Sequence, residues 1–542
     1  MNNNHDFDTL GLMIDVSRNA VMSLDAWSKF LPVIREMGYN AIFLYMEDIY
    51  EVKDEPMFGY MRGRYSIEDM KRLDALGYEN GIEMIPCIQT LGHLTNIFRW
   101  EAFEKDTPST LLVGSERTYQ LIDRMFHTLS ECFRTRRIHI GMDEAHDLGR
   151  GKYLDKNGYE SNARIMRKHL GRVKEIADGY GYELLVWSDM FFRGWNGGKY
   201  YTTEREVPRE FREAVIEGVK PVYWDYYKTT EERYMAMLSN HKQLSDEVWF
   251  AGGIWTWLGF SPANGYTVKT MLPAISACRK HGIRNVMFTF WGDNGSECPR
   301  YAMLPSLYYL AEICRGNTDD RAIKENFEKQ YGVSYDDMLL LDEPNRVSND
   351  PSSPYENTSP SKYAFYADYL NGHLDFTVKQ GGGEFYRELA VKLGEAKNRV
   401  GDYAYLFDTA EKLSLILADK YELGVKTRKA YKMGDKKELL RLANEEYSRI
   451  DELIPEFLSA FKRQWLIENY HNGFEIHENR IGGLYMRTKS CKERLIDYAE
   501  GRLTSIPELE CEVIPYGNHK VGYSSFYIRH HLIFTSNPIN DD

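Results

Sequence analysis

At 542 residues the chain is longer than one hydrophobic core usually organises, so two domains, or a barrel with an appended unit, are expected. Hydrophobic residues make up 43%, which excludes a disordered chain; the formal net charge of −13 argues against nucleic acid, whose binders carry a basic footprint. No run approaches the ~20 apolar residues needed to cross a bilayer, so no membrane partner is expected.

The seven cysteines are scattered, without a Cys-x-x-Cys pair, and read as reduced thiols rather than a zinc or dithiol site. Residues 1–6 lack the basic and apolar regions of a secretory leader, which leads to an expected cytoplasmic placement. Nine of the ten tryptophans precede residue 292. Most large aromatics are core, but flat rings gathered in one domain also suit a sugar pocket.

Along the first ~320 residues short apolar runs alternate with longer amphipathic ones, the period of parallel strands and crossover helices. The strand candidates are 11–16, 41–46, 82–88, 138–142, 183–188, 220–224, 248–254 and 285–290. Between the third and fourth, 116–135 sets Ile122, Met125, Phe126, Leu129, Cys132 and Phe133 on one helical stripe. Eight βα units predict an α/β fold, a (β/α)8 TIM barrel, and the first strand lacks the glycine-rich phosphate turn of an open dinucleotide-binding sheet. The expected division is a barrel over 1–340, a Pro/Ser/Asn-rich linker or surface excursion over 341–370, and a mainly helical domain over 371–542. Within the last, 385–470 is strongly helical and 508–516 and 526–535 look like short strands.

In such a barrel the strand ends carry the chemistry, and here they are polar. The second ends in Glu47-Asp48, the third in Gly92-His93, the fourth in Asp143-Glu144, the fifth in Trp187-Ser-Asp189, the sixth in Tyr223-Trp-Asp225. Trp255-Thr-Trp257 follows the seventh and Trp291-Gly-Asp293 the eighth. Adjacent carboxylates in a partly dry pocket resist simultaneous ionisation, so one of Asp143 and Glu144 can stay protonated as a general acid while the other stays charged. Elsewhere such a pair is usually a solvated turn; its place after an apolar barrel strand reverses that reading. His139 reads as a core histidine. Asp189 and Arg18 read as a pair across barrel layers, without a catalytic role. A metal site from His93, His139, Asp143 and His146 fits no standard ligand spacing, and neither metal nor cofactor is expected.

The run His139-Ile-Gly-Met-Asp143-Glu144 resembles the signature of glycoside hydrolase family 20, the β-N-acetylhexosaminidases. Gly11-Leu-Met-Ile-Asp-Val-Ser-Arg18, Gly92-His93, Tyr223-Trp-Asp225 and Trp291-Gly-Asp293 are similar to other elements of that family, in order, over roughly residues 9–315. The branch it is most similar to comprises bacterial intracellular enzymes with a helical C-terminal domain. The resemblance implies a retaining exo-acting enzyme in which the substrate's own acetamide is the nucleophile, an exception to the two-carboxylate scheme. Glu144 would then be the acid and base, Asp143 would orient the acetamide, and Tyr223 would donate to its oxygen. His93, backed by Glu47 or Asp48, would tune Glu144; Trp187, Trp257 and Trp291 would wall the sugar; Asp225 and Asp293 would hold its hydroxyls. The implied partner is an oligosaccharide or glycoconjugate ending in N-acetylhexosamine, and whether a second subunit closes the pocket, as in a homodimer, is left open.

Three places depart from the family pattern. Leu10 stands where the family has a hydroxyl-gripping arginine, Glu47-Asp48 where it has two aspartates, and Asp293 where it has a glutamate. Two other readings stay beside the first: another acetamido-assisted glycosidase, such as one acting on O-linked protein N-acetylglucosamine, and a catalytically silent sugar-binding barrel. Trp465 to Glu475 forms a polar-aromatic patch, read first as helix-end packing and second as an outer sugar subsite.

Overall fold

Eight parallel strands close into a barrel in a computed structural model that describes residues 6–347 and 358–515. The strands are β1 (Thr9–Asp15), β2 (Ala41–Tyr45), β3 (Glu83–Cys87), β4 (Arg137–His139), β5 (Glu183–Trp187), β6 (Val219–Trp224), β7 (Trp249–Gly253) and β8 (Asn285–Phe290). Each pairs with its sequence neighbours, and β1 closes on β8 with Thr9 opposite Asn285. All eight strands expected from the apolar runs are present, and between them lie the crossover helices. A short antiparallel hairpin, Lys105–Thr107 with Thr110–Leu111, is an addition that the sequence reading lacks.

The helices start where the sequence supplies side-chain caps. Ser23, Ser66, Ser115 and Ser161 each accept a backbone N–H at the head of Leu24–Met37, Ile67–Glu79, Glu116–Cys132 and Asn162–Gly179. Gly38, at φ +102, ends the first of these and turns the chain into β2, a conformation only glycine adopts without strain.

Met13, Phe43, Ile85, Leu185, Val222, Ala251 and Met287 share one buried cluster. Residues drawn from strands all round a barrel can share a cluster only inside it, so they fix which face of each strand points inward. The intervening residues, Tyr223 and Phe250 among them, face the helix layer. That parity decides the site.

The chain divides into two compact units, the first comprising 1–254, 267–291 and 307–318 and the second 255–266, 292–306 and 319 onward. The second is helical, with Gly382–Lys397, Ala404–Lys420, Glu446–Glu468 and Glu475–Ala499 as its long elements. Phe260, Phe365, Phe457 and Phe461 form its aromatic core, and the fully buried Lys362 and Glu297 pair at 2.7 Å. Residues 340–345 and 360–366 are short buried helices. The strand expected over 508–516 is corrected: Pro507–Glu510 is a helical turn with proline at its start, where its fixed φ suits a helix. The expected strand over 526–535 lies outside the described residues.

Trp465 is buried among Phe461, Phe474 and His477, with its indole N–H donating to the Tyr470 carbonyl at 2.8 Å, and Glu475 accepts the Gly473 N–H. That is helix-end packing, the first of the two readings of this patch. Among the described residues no helix is long and apolar enough to cross a membrane.

Candidate active site

The C-terminal ends of β1 to β5 bring a dense set of charges together. Asp143 and Glu144 follow β4 on a backbone in which Gly141, Met142 and Glu144 all have positive φ. Such strain persists only where the surroundings over-determine it, and here they do. Gln89, fully buried after β3, donates from Nε2 to Asp143 Oδ1 at 2.8 Å and to the Tyr45 hydroxyl at 3.0 Å, while its Oε1 accepts the Met142 N–H. A Cβ on Gly141 would lie 2.1 Å from Gln89 Oε1, so glycine is required for this approach. Gly92 plays the same part opposite: a Cβ there would lie 2.7 Å from the Asp143 carbonyl.

His93 Nε2 stands 3.2 Å from Asp143 Oδ2 and 3.8 Å from Glu144 Oε2. The first is a close charge contact rather than an aligned hydrogen bond. Burial alone would lower the His93 pKa, but the charges of Asp143 and Glu47 beside it raise it to about 9. For Asp143 burial pulls upward, and the His93 cation and the Gln89 amide outweigh it, leaving the carboxyl below its ordinary range. Glu144 goes the other way, raised by its partial screening from water in the barrel mouth, where 40% of its side chain stays open, and by the charges of Asp143 and Asp189, with His93 and Arg193 opposing. Neighbouring carboxyls thus differ in proton affinity, Asp143 ionised and Glu144 inclined to hold its proton.

Glu47 belongs to this group: its Oε1 accepts the Tyr45 hydroxyl at 3.1 Å and lies 3.4 Å from Arg18. Asp48 is held instead by Arg62 at 3.0 Å. Arg18 pairs with Asp15 and Glu47 and lies 5.1 Å from the Tyr45 ring centre and 5.4 Å from that of Trp291. The expected Arg18–Asp189 pair is therefore corrected: Asp189 binds Arg193. Trp187 is fully buried inside the barrel, 4.3 Å from the His139 ring and 6.2 Å from Trp291, so it forms the floor beneath the charges. His139 is buried there too, and burial drives its pKa to about 3. Leu10 is fully buried in β1.

The β6 end departs from the sequence reading. Tyr223 faces outward, packed on His241 at 4.6 Å and Phe250 at 5.4 Å, and its hydroxyl donates to Asp225 Oδ2 at 2.8 Å. Asp225 is fully buried, its other oxygen accepting the Tyr227 N–H. Neither is brought to Asp143 and Glu144. On the inward side of this strand end stands Tyr226, stacked on Trp224, in hydrogen-bond contact with Trp291 and Thr289 and near Asp143. Trp257 stacks on Trp255 and, with Asp293, belongs to the second compact unit. Among the described residues no cluster of His, Cys, Asp and Glu is placed to hold a metal ion, and the seven cysteines are unpaired, six buried and Cys511 exposed.

A parallel barrel whose mouth holds two adjacent carboxyls of opposed proton affinity above a tryptophan floor has the constellation of a glycoside hydrolase. Residues 10–207 match the family model for the glycosyl hydrolase family 20 catalytic domain, and 336–526 that for the glycoside hydrolase 20C C-terminal domain. The chain belongs to glycoside hydrolase family 20. Hexosaminidase D of Bos taurus is 25% identical over 268 residues, 47% of this chain and 72% of that protein. Hexosaminidase D of Homo sapiens is 26% identical over 212 residues, 37% of this chain and 41% of that protein, well under two thirds of its length. A family 20 exo-β-N-acetylglucosaminidase from Vibrio harveyi, solved with N-acetylglucosamine, superposes with a TM-score of 0.47 at 15% identity, over 62% of this chain and 58% of that one.

Proposed function

We propose that the protein is a retaining exo-β-N-acetylhexosaminidase that removes a terminal β-linked N-acetylhexosamine from an oligosaccharide or glycoconjugate, the substrate's acetamide serving as nucleophile. The observation that carries this is the placing of Asp143 and Glu144 side by side in the barrel mouth, Asp143 held by Gln89 and His93, and Glu144 between His93 and Arg193. Glu144, holding its proton, passes it to the glycosidic oxygen as the C1–O bond breaks. The acetamide oxygen attacks C1 as the leaving group departs, and Asp143, ionised, takes the hydrogen bond of the acetamide N–H and offsets the charge growing on that nitrogen. Glu144, now an anion, removes a proton from the water that opens the cyclic intermediate.

Even with Glu144 protonated, the mouth's Asp15, Glu47, Asp48, Asp143 and Asp189 outnumber Arg18, Arg62, His93 and Arg193, and a negative field favours the oxocarbenium character of the reacting sugar. Tyr226 takes the part first read for Tyr223, steadying the acetamide oxygen, because it lies near Asp143 while Tyr45, the other tyrosine that Asp143 acts on, is already held by Gln89 and Glu47. Arg18, between Glu47 and Trp291, is the cation that answers for Leu10 in binding ring hydroxyls. Trp291 supplies an apolar face for the pyranose, and the buried Trp187 supports it from beneath.

The test is release of nitrophenol from aryl N-acetyl-β-hexosaminides, with the first-formed sugar followed by NMR. The β-anomer, together with a loss of at least about 10²-fold in Glu144→Gln, is expected. An α-anomer, or a Glu144→Gln variant of undiminished rate, would contradict the reading.

A further inference from the structure

Two charged groups at the mouth are given no individual role in the chemistry above. Asp189, after β5, is fully buried. Its Oδ2 accepts the backbone N–H of Glu144 at 3.1 Å and the Arg193 Nε–H at 2.9 Å, while its Oδ1 is buried without a hydrogen-bond partner. Arg193 is one turn further on, in the short helix Met190–Arg193. Its Nη1 donates to the Gly198 carbonyl at 3.2 Å, its Nη2 lies 3.4 Å from Glu144 Oε1, and its guanidinium carbon lies 5.9 Å from the centre of the Tyr200 ring.

Glu144 needs such a frame. Its φ of +48 is a left-handed conformation that strains a side-chain-bearing residue, and its carboxyl is among the more exposed groups of the site. Left alone, the backbone would relax and carry the acid away from the bond it must protonate. A buried carboxylate on the Glu144 N–H opposes that relaxation, since releasing it would leave Asp189, whose Oδ1 already lacks a partner, held in a dry interior by Arg193 alone.

We propose that Asp189 and Arg193 are positioning residues for the acid: Asp189 clamps the strained backbone of Glu144, and Arg193 clamps Asp189 while steadying the carboxyl from the oxygen opposite His93. The inference rests on Glu144 being the acid. The charged groups facing Glu144 are Asp143, Asp189, His93 and Arg193, and those facing Asp189 are Asp143 and Arg193. The carboxylates favour a protonated Glu144 before proton transfer, and the two cations, one at each oxygen, receive the anion after it.

The experiment compares Asp189→Ala, Asp189→Asn, Arg193→Gln and Arg193→Lys on aryl N-acetyl-β-hexosaminides of graded leaving-group acidity, over a range of pH. A positioning role predicts that Asp189→Ala lowers kcat about 10²-fold on poor leaving groups, with KM within about threefold. On a dinitrophenyl glycoside, which leaves without a proton, the loss shrinks to less than about tenfold. Arg193→Gln follows the same pattern more weakly, and Arg193→Lys restores part of the rate. Asp189→Asn keeps an acceptor oxygen but removes a negative neighbour, so Glu144 gives up its proton more readily and the alkaline limb of kcat/KM moves to lower pH. That measurement stands even if Asp189→Ala fails to fold. A loss uniform across leaving groups with an unmoved limb in Asp189→Asn would mark Asp189 as merely structural and overturn the inference alone. An unmodified protein that released no aryl group would take down the acid reading and the inference with it.

Discussion

The ends of β4 and β6 carry motifs of the same kind, two functional-looking side chains within three residues, and the barrel treats them oppositely. After β4 the chain leaves the strand on left-handed residues, and Asp143 and Glu144 turn into the mouth, held by Gln89, His93 and Asp189. Along β6 the strand runs on through Trp224, so side-chain alternation sends Tyr223 and Asp225 to the outer layer and leaves Tyr226 to the mouth. A motif therefore states which residues are near one another, whereas strand parity states which of them can meet a substrate.

That contrast can be broken at several points. The largest effect is expected at the acid: Glu144→Gln should lose about 10²–10⁴-fold in kcat with poor leaving groups and far less with dinitrophenol, read by steady-state kinetics. Next comes the exchange of tyrosines. Tyr226→Phe should lower kcat by about 10²-fold, the scale of one lost donor at a developing charge. Tyr223→Phe should leave kcat within about threefold but destabilise the fold by roughly 1–3 kcal/mol, because buried Asp225 loses a donor. Equal losses of activity in the two would sink the parity argument. A smaller effect is expected for Gly141→Ala, whose new methyl must push Gln89 off Asp143; a fall in kcat with circular dichroism unchanged is the expected outcome.

The smallest effect is a pH-dependent one. His93 has a raised pKa, so the stability it draws from Asp143 is full below its ordinary value of 6.5 and is lost as pH rises through about 9. Asp143 has a lowered pKa, so its share is present above the ordinary carboxylate range and is lost as pH falls through the depressed value. The thermal midpoint of His93→Gln should therefore lie furthest below that of the parent between about pH 4 and 6.5 and converge with it near pH 9. A gap that grows toward pH 9 would reverse the assignment.

The eight strands were legible because buried parallel strands read as short apolar runs separated by helical periods. The same property hid the parity of β6. Val222, Tyr223 and Trp224 are all apolar or aromatic, so their pattern shows no alternation that would set Tyr223 apart from Tyr226 three residues on. Gln89 was not legible as the partner of Asp143, since a neutral amide has no charge signature; the glycine at 141 was the available hint. Asp189 was paired with the wrong arginine because Arg193 lies on a single helical turn with no amphipathic pattern to announce it. The turn at Pro507–Glu510 resembled a strand through its neighbours, although Pro507 is well suited to begin a helix.

The account depends on two adjacent residues behaving as different acids. Carbon-13 NMR of the Asp and Glu carboxyls, assigned with Asp143→Asn and Glu144→Gln, measures this in the resting protein. Asp143 should remain ionised to well below the ordinary carboxylate range while Glu144 takes up its proton above 4.5, the ordinary value for glutamate. Two carboxyls titrating together at ordinary values would contradict it.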